Sequence, residues 1–213
     1  MQVEVDHVFI LTSRGAPAAD ELVKFGLTEG SPNVHPGQGT ACRRFFFENA
    51  MLELIWIAEV TEAQSAASRP TRLWERWSDL GRGASPFGII LRPRSGAAKD
   101  YPFEGWDYRP ETMPGLELRI AAPTSLVEPM WCFTENVRRL PQPRAHSAGF
   151  RELTRVRVVC PTLHAKSVTA AMARAGVIAL DSGDAHLMEV EFDRGAQGGA
   201  KDLRPALPLI LRW

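Results

Sequence analysis

The segment Val3 to Leu11 starts as an alternation of apolar and polar positions and becomes apolar on both faces from Val8 onward, the pattern of a strand running from a sheet's edge into covered territory. A helix is predicted over Ala16 to Phe25, with Pro17 tolerated in its first turn, Leu22, Val23 and Phe25 turned inward, and Gly26 as its stop. A glycine-containing loop, Gly30 to Gly39, leads into two predicted strands, Thr40 to Glu48 and Met51 to Glu59. Only Asn49-Ala50 separates them, so a tight antiparallel hairpin is the economical connection. Thr61 to Asp79 reads as helical but broken at Pro70, with Leu73, Trp74 and Trp77 on one side.

Three short strands are predicted next, Phe87 to Arg92, Leu116 to Ala121 and Met130 to Thr134, between long Pro/Gly-rich loops, and Pro141 to Arg144 reads as a hinge. The opening pattern then recurs. Leu153 to Cys160 is a strand, His164 to Ala175 a helix stopped by Gly176, and His186 to Asp193 and Leu207 to Trp213 are strands. Placing Val3 against Leu153 and Ala50 against Ala206 brings the outer strands of the two units into register, which points to an internal duplication. The expected organisation is an N-terminal unit over 1–60, a connector helix and β-rich middle segment over 61–150, and a C-terminal unit over 151–213.

Composition narrows the partners. Of 213 residues, 45% are hydrophobic and 23% charged, which excludes a disordered or fibrous chain. Lys+Arg and Asp+Glu both number 25, so no net field draws the protein to nucleic acid or to an acidic membrane. The opening residues carry no leader pattern, and no stretch reaches the roughly 18 apolar residues of a spanning helix. No membrane partner is expected, and a cytoplasmic location is. Cys42, Cys132 and Cys160 are odd in number and without C-x-x-C spacing, which makes them reduced packing residues. No P-loop, G-x-G-x-x-G or G-x-S-x-G motif is present, so nucleotide binding and α/β-hydrolase chemistry have no support.

Several side chains carry candidate chemistry. Simple alternation places His7 on one face with Val3, Val5, Phe9 and Leu11, hence buried. Glu53 lies in a segment apolar on both sides, so its charge needs hydrogen bonds, a cation or a metal. Imidazole and carboxylate suit a divalent ion, but two ligands make half a site. His35, in the glycine-containing loop, is a candidate general acid or base or else a turn cap. Arg43 and Arg44 leave that loop on alternate faces, so one of them should face inward as an anion clamp or as a partner of Glu53. Trp56, Trp106 and Trp131 are packing anchors first and ligand-stacking surfaces second. His146 and His164 read as linker and helix-surface residues without a role.

The runs Val5-Asp6-His7-Val8-Phe9-Ile10, Phe25-Gly26-Leu27, His35-Pro36-Gly37-Gln38-Gly39-Thr40 and Met51-Leu52-Glu53-Leu54-Ile55, with the closing Asp202 to Leu209, resemble the glyoxalase-like branch of the vicinal oxygen chelate superfamily. The likeness covers both ends well and the middle poorly. It implies an α+β fold in which two related βαβββ modules curl into a cupped, barrel-like mixed sheet, with a metal ligand on the first and last strand of each module. His7 and Glu53 match the two ligand positions of the first module. In the second, Arg157 stands at the position of His7 and Leu209 at that of Glu53. If Phe87 to Arg92 is the matching strand instead, Gly88 takes the place of His7. The ligand set is incomplete either way. His186, Glu189 and Glu191 offer replacements only if their strand faces the cup, and the two carboxylates read more simply as a solvated face.

Two answers to the Glu53 charge therefore stay open. One is a weakly held divalent ion, Fe, Mn, Zn or Ni, on His7 and Glu53. The other is an ion pair with Arg157 and no metal. The first implies a lyase, isomerase or dioxygenase with Glu53 and His35 as catalytic groups. The second implies a metal-free protein that binds or sequesters a small molecule. In both, Arg43, Arg44, Trp56, Trp131 and Arg157 are candidate ligand contacts. An interaction protein that keeps only the fold is the remaining reading, and the resemblance also implies a homodimer.

Overall fold

In the computed structural model, which describes residues 2–95, 100–123, 125–135 and 145–213, the first predicted strand forms as β1 (Val3–Leu11), but its alternation slips. The register against the neighbouring strand β5 (Phe87–Pro93) shifts between Val5 and His7, leaving Asp6 as an extra residue. Such a bulge reverses the phase of the strand. Val3 and Val5 consequently pack on the same core as Val8 and Ile10, whereas His7 lines a cavity on the opposite face with Phe9. The expectation that His7 shares a face with Val3 and Val5 is thus corrected. The hinge expected at Pro141 to Arg144 lies outside the described residues.

Helix α1 (Ala19–Phe25) starts three residues later than expected because Gly15 (φ 80°) and Ala16 (φ 46°) sit in the left-handed region. It ends as expected at Gly26, whose φ of 109° suits glycine and whose N–H returns to the Leu22 and Val23 carbonyls. The loop expected over Gly30 to Gly39 contains a short edge strand, β2 (Asn33–His35). The expected hairpin forms between β3 (Thr40–Phe46) and β4 (Met51–Ile57). Then come two short helices, α2 (Val60–Ala63) and α3 (Leu73–Ser78), with Pro70 opening a single 3₁₀ turn between them.

The middle segment is no appendage. Beyond β5 it supplies β6 (Gly105–Tyr108), β7 (Leu118–Ala121) and β8 (Met130–Phe133). These join the N-terminal strands in one curled eight-stranded sheet of order β2-β3-β4-β1-β5-β8-β7-β6. The order has a two-fold logic about the antiparallel β1–β5 pair. Strand β4 runs parallel to β1 as β8 runs parallel to β5, and β3 and β7 follow antiparallel on either side. The cupped α+β sheet expected from the sequence is present, and its second half comes from residues 87–133 rather than from the C-terminal unit.

That last unit forms its own five-stranded sheet of order β10-β9-β11-β13-β12, from β9 (Leu153–Cys160), β10 (Ala179–Ser182), β11 (Leu187–Phe192), β12 (Ala200–Asp202) and β13 (Leu209–Arg212). Helix α4 (Val168–Arg174), capped by the Ser167 side chain accepting from the Ala170 N–H, carries the crossover that lays β10 parallel beside β9. Strand β13 runs parallel to β11 and does not touch β9 in the ladder. Matching Leu153 to Val3 therefore does not describe the pairing.

The second sheet covers the outer face of the first. Val8, Ile10, Leu52 and Leu54 share one core with Val156, Val158, Val190 and Leu211. On the inner face, Phe9, Leu11, Ile55 and Ile57 pack with Leu73, Trp74 and Trp77 of the α3 segment. Covering on both sides is why β4 is apolar throughout, and it leaves Glu53 as the lone charge in that strand.

Candidate functional site

The inner face of the eight-stranded sheet encloses a cavity of about 600 Å³, a volume suited to a small organic ligand. Phe9, Met51, Ile55, Ile90 and Met130 form its apolar floor, and the segment Met113 to Leu118 contributes to the wall. Its polar groups come mostly from β1 to β4.

Because of the bulge, Asp6 and His7 both line the cavity although they are adjacent in sequence. The His7 Nδ1–H donates to Asp6 Oδ2 at 2.7 Å, which leaves Nε2 for the cavity. On its other oxygen Asp6 accepts from Arg92 Nη1 at 3.0 Å, and Arg92 also bonds Glu4 and the Asn49 carbonyl. Burial raises the Asp6 pKa, but the His7 hydrogen bond and the His7 and Arg92 charges outweigh it and hold the carboxyl below its ordinary range. Burial likewise disfavours charge on His7, yet the Asp6 hydrogen bond and the charges of Glu53 and Asp6 outweigh it, so the imidazole pKa is raised.

Glu53 is only 7% exposed and faces the same cavity. Among the described residues its one hydrogen bond comes from the Cys42 thiol, 3.7 Å from Oε1, and it makes no ion pair. Arg44 stands opposite it in the β3–β4 ladder and lines the cavity, but its guanidinium turns to the Ser31 carbonyl at 2.9 Å and lies over the Phe46 ring at 5.1 Å. His35 also reaches the cavity. Its Nε2 pairs with Asn33 Nδ2 at 2.9 Å and its Nδ1 with Thr40 Oγ1 at 2.8 Å, and the Thr40 hydroxyl passes on to Gln38 Oε1. Burial lowers its pKa; the Glu53 charge opposes this and the Arg44 and His7 charges reinforce it. Both ring nitrogens are thus engaged, which fits a neutral wall group better than a proton donor.

Four expected contacts lie elsewhere. Arg43 emerges on the other face of β3, where it pairs with Glu29 at 2.6 Å and Asp20 at 2.8 Å and ties down α1. Trp56 packs into the core between the sheets. Trp131 belongs to the same core, and its indole N–H donates to Thr169 Oγ1 on α4 at 3.0 Å. Arg157, in the second sheet, pairs with Asp181 at 2.6 Å and with Glu189 at 2.8 Å. Arg212 binds the other Glu189 oxygen at 2.6 Å. Neutralisation of Glu53 by Arg157 is therefore overturned, because acidic partners in its own sheet already occupy that guanidinium. The residues that sequence reasoning missed are Asp6, Arg92, Cys42 and the Asn33–Thr40–Gln38 network. The Asp6-His7 dipeptide was visible, but strict alternation sends neighbours to opposite faces.

The two-fold relation between the halves tests a metal site directly. Pairing of His7 with Ile90 and of Phe9 with Gly88 makes Gly88 the counterpart of His7, and the β5–β8 register makes Cys132 the counterpart of Glu53. Gly88 offers no donor, and a Cβ there would lie 2.0 Å from the Phe9 ring, which fills the space. Burial pushes the Cys132 thiol up to about 12, far from the thiolate that ligates metals. Among the described residues no three His, Cys, Asp or Glu side chains converge to hold an ion. The donor set does not fit a resident divalent ion.

A curled mixed sheet of two related halves around one partly polar cavity defines a cupped α+β protein. The sequence family described as a glyoxalase-like domain matches residues 5–176. The chain belongs to that family, within the vicinal oxygen chelate superfamily. No curated protein sequence matches it. The crystal structure of a hypothetical protein from Staphylococcus aureus is similar with a TM-score of 0.52 at 9% identity, covering 100% of this chain and 98% of the other, which shows the fold alone. A hypothetical protein from Bacillus halodurans C-125 gives a TM-score of 0.39 at 12% identity over 67% of this chain and 100% of its own. Among the described residues no helix is long and apolar enough to cross a membrane.

Proposed function

We propose that the cavity is the active site of a metal-independent isomerase or lyase acting on a small carbonyl compound. One observation carries this reading: His7 and Glu53 face the same cavity and form no hydrogen bond or ion pair with each other. The Asp6 carboxylate and Arg92 fix the His7 ring, so an Nε2–H directed at a substrate oxygen stabilises the negative charge that develops there. Glu53 removes the proton from the neighbouring carbon, and the electron pair moves onto that oxygen as an enolate. Where that carbon bears a hydroxyl, returning the proton to the former carbonyl carbon while the hydroxyl proton passes to the first oxygen gives an isomerase; departure of a β-substituent with its bonding pair as the carbonyl re-forms gives a lyase. Arg44, at the polar rim, orients an anionic substituent.

A second reading, a binding protein without turnover, draws support from the apolar floor and from the engagement of both His35 nitrogens. Incubation of a panel of small ketones, aldehydes and hydroxy acids in D₂O with a chelator present separates the two. Deuterium entering the α-carbon with the parent and not with Glu53→Gln supports the enzyme. Thermal stabilisation without exchange supports the binder, and exchange that appears only with added divalent ion overturns both.

A further inference from the structure

At the seam where β1 and β5 meet β9 and β11 lies a second cleft, of about 410 Å³, away from the cup. Arg92, Arg94, Arg155 and Arg194 line it against two carboxylates, Glu4 and Glu191, an excess of two positive charges. Both carboxylates are in use. Glu4 accepts from Arg92 Nε at 2.8 Å, and Glu191 Oε1 from the Thr154 hydroxyl at 3.3 Å. Arg94 is tethered by Nε to the Val3 carbonyl at 3.2 Å, and among the described residues its terminal nitrogens have no partner.

Arg155 and Arg194 differ from these two. Among the described residues neither guanidinium has a hydrogen bond or an ion pair, although Glu191 stands opposite Arg155 in the ladder. Arg194 is held on the cleft wall by unusual backbone. Asp193 (φ 51°), Arg194 (φ 60°) and Gly195 (φ 64°) are left-handed in succession, a conformation costly for the first two. Asp193 secures it by accepting from the N–H groups of Arg151 at 3.1 Å and Glu152 at 3.0 Å, and the Arg194 N–H donates to Thr154 Oγ1 at 3.0 Å. The fold thus fixes a strained turn that places one unpaired guanidinium on the same cleft as another, together with the partly exposed side chains of Val5 and Val177.

We propose that this seam cleft is a second binding site, for a small molecule carrying a phosphate monoester. Planar guanidinium forks match phosphate oxygens in pairs, and a dianion balances the charge excess. The organic part of the ligand lies on the valine surface.

The full-length chain is titrated calorimetrically with inorganic phosphate and with phenyl phosphate, at ionic strength held constant with sodium chloride. The parent is expected to bind both saturably, phenyl phosphate more tightly. In Arg155→Gln/Arg194→Gln, whose side chains support nothing in the fold, affinity is expected to fall at least about tenfold, the loss of one charge-assisted hydrogen bond or more. Circular dichroism and thermal unfolding confirm that the double variant is folded, and Arg82→Gln serves as a distant control that keeps parental affinity. Absence of saturable binding at millimolar ligand, or equal binding by the double variant, overturns the proposal.

Discussion

Arg76 is fully buried, and among the described residues no acidic side chain pairs with it. Instead, Nη1 donates to the carbonyls of Ser85 (2.9 Å), Leu126 (2.9 Å) and Glu128 (2.7 Å), and Nη2 donates to the carbonyl of Ser125 (2.9 Å). One guanidinium on α3 thereby gathers the strands' connecting segments just before β5 and β8. Burial lowers its pKa to about 10, so it stays charged at neutral pH. Arg76→Met keeps much of the volume and removes every donor. The Ser125 and Leu126 bonds are part-buried, and water can replace their donors; the Ser85 and Glu128 bonds are buried and their carbonyls are left unpaired. At ~1–3 kcal/mol per orphaned group, the two unpaired carbonyls cost about 4 kcal/mol. For a chain of this length that corresponds to a fall in Tm of roughly 8–16 °C. Differential scanning calorimetry of parent and variant reads it directly. A variant within about 1 kcal/mol of the parent would show that the carbonyl cluster is satisfied without Arg76 and would refute the reasoning.

Two further outcomes rest on buried contacts elsewhere in the fold. His146 accepts the Thr28 N–H on Nδ1 at 2.9 Å and donates from Nε2 to the Phe46 carbonyl at 3.0 Å, and burial lowers its pKa. A depressed histidine contributes stability that is full above the unfolded value near 6.5 and is lost as pH falls through the folded value. Thermal unfolding from pH 8 to pH 5 should therefore show a falling Tm, less steeply in His146→Gln, and equal slopes would contradict the assignment. Gly88→Ala places a methyl 2.0 Å from the Phe9 ring and forces that ring into the cavity. A loss of about 1–3 kcal/mol by chemical denaturation is expected, together with weaker binding of any cavity ligand; an unperturbed variant would show that the ring has room elsewhere.

How far the sequence could be read is clearest strand by strand. Long patterned strands were legible: β1, β4 and the β3–β4 hairpin formed where expected, so His7 and Glu53 were seen as two groups on neighbouring central strands. The bulge at Asp6 was not, since one inserted residue leaves no mark on composition and only the β5 register reveals it. Four short strands, β2, β6, β10 and β12, lay in stretches that read as loops or connections, because three or four residues are too few for a period to show. The partner of the N-terminal half was misassigned because β9 repeats the apolar pattern of β1, and pairing depends on connections that periodicity does not encode. Side-chain direction failed similarly. That one of Arg43 and Arg44 faces inward followed from alternation, but which one depends on the packing of α1 against Arg43. Trp56, Trp131 and Arg157 found partners in the second sheet and the core beneath it, a layer the sequence did not place behind the cup.

Titration calorimetry with Zn²⁺, Mn²⁺, Fe²⁺ and Ni²⁺ into the chelator-treated parent, His7→Asn and Glu53→Gln most directly examines whether the cup works through its own acid and base. The expected result is no saturable one-to-one uptake of any of these ions by the parent, at any concentration up to the millimolar range. Stoichiometric binding of one ion per chain, abolished in both variants, would contradict it and return His7 and Glu53 to the role of ligands.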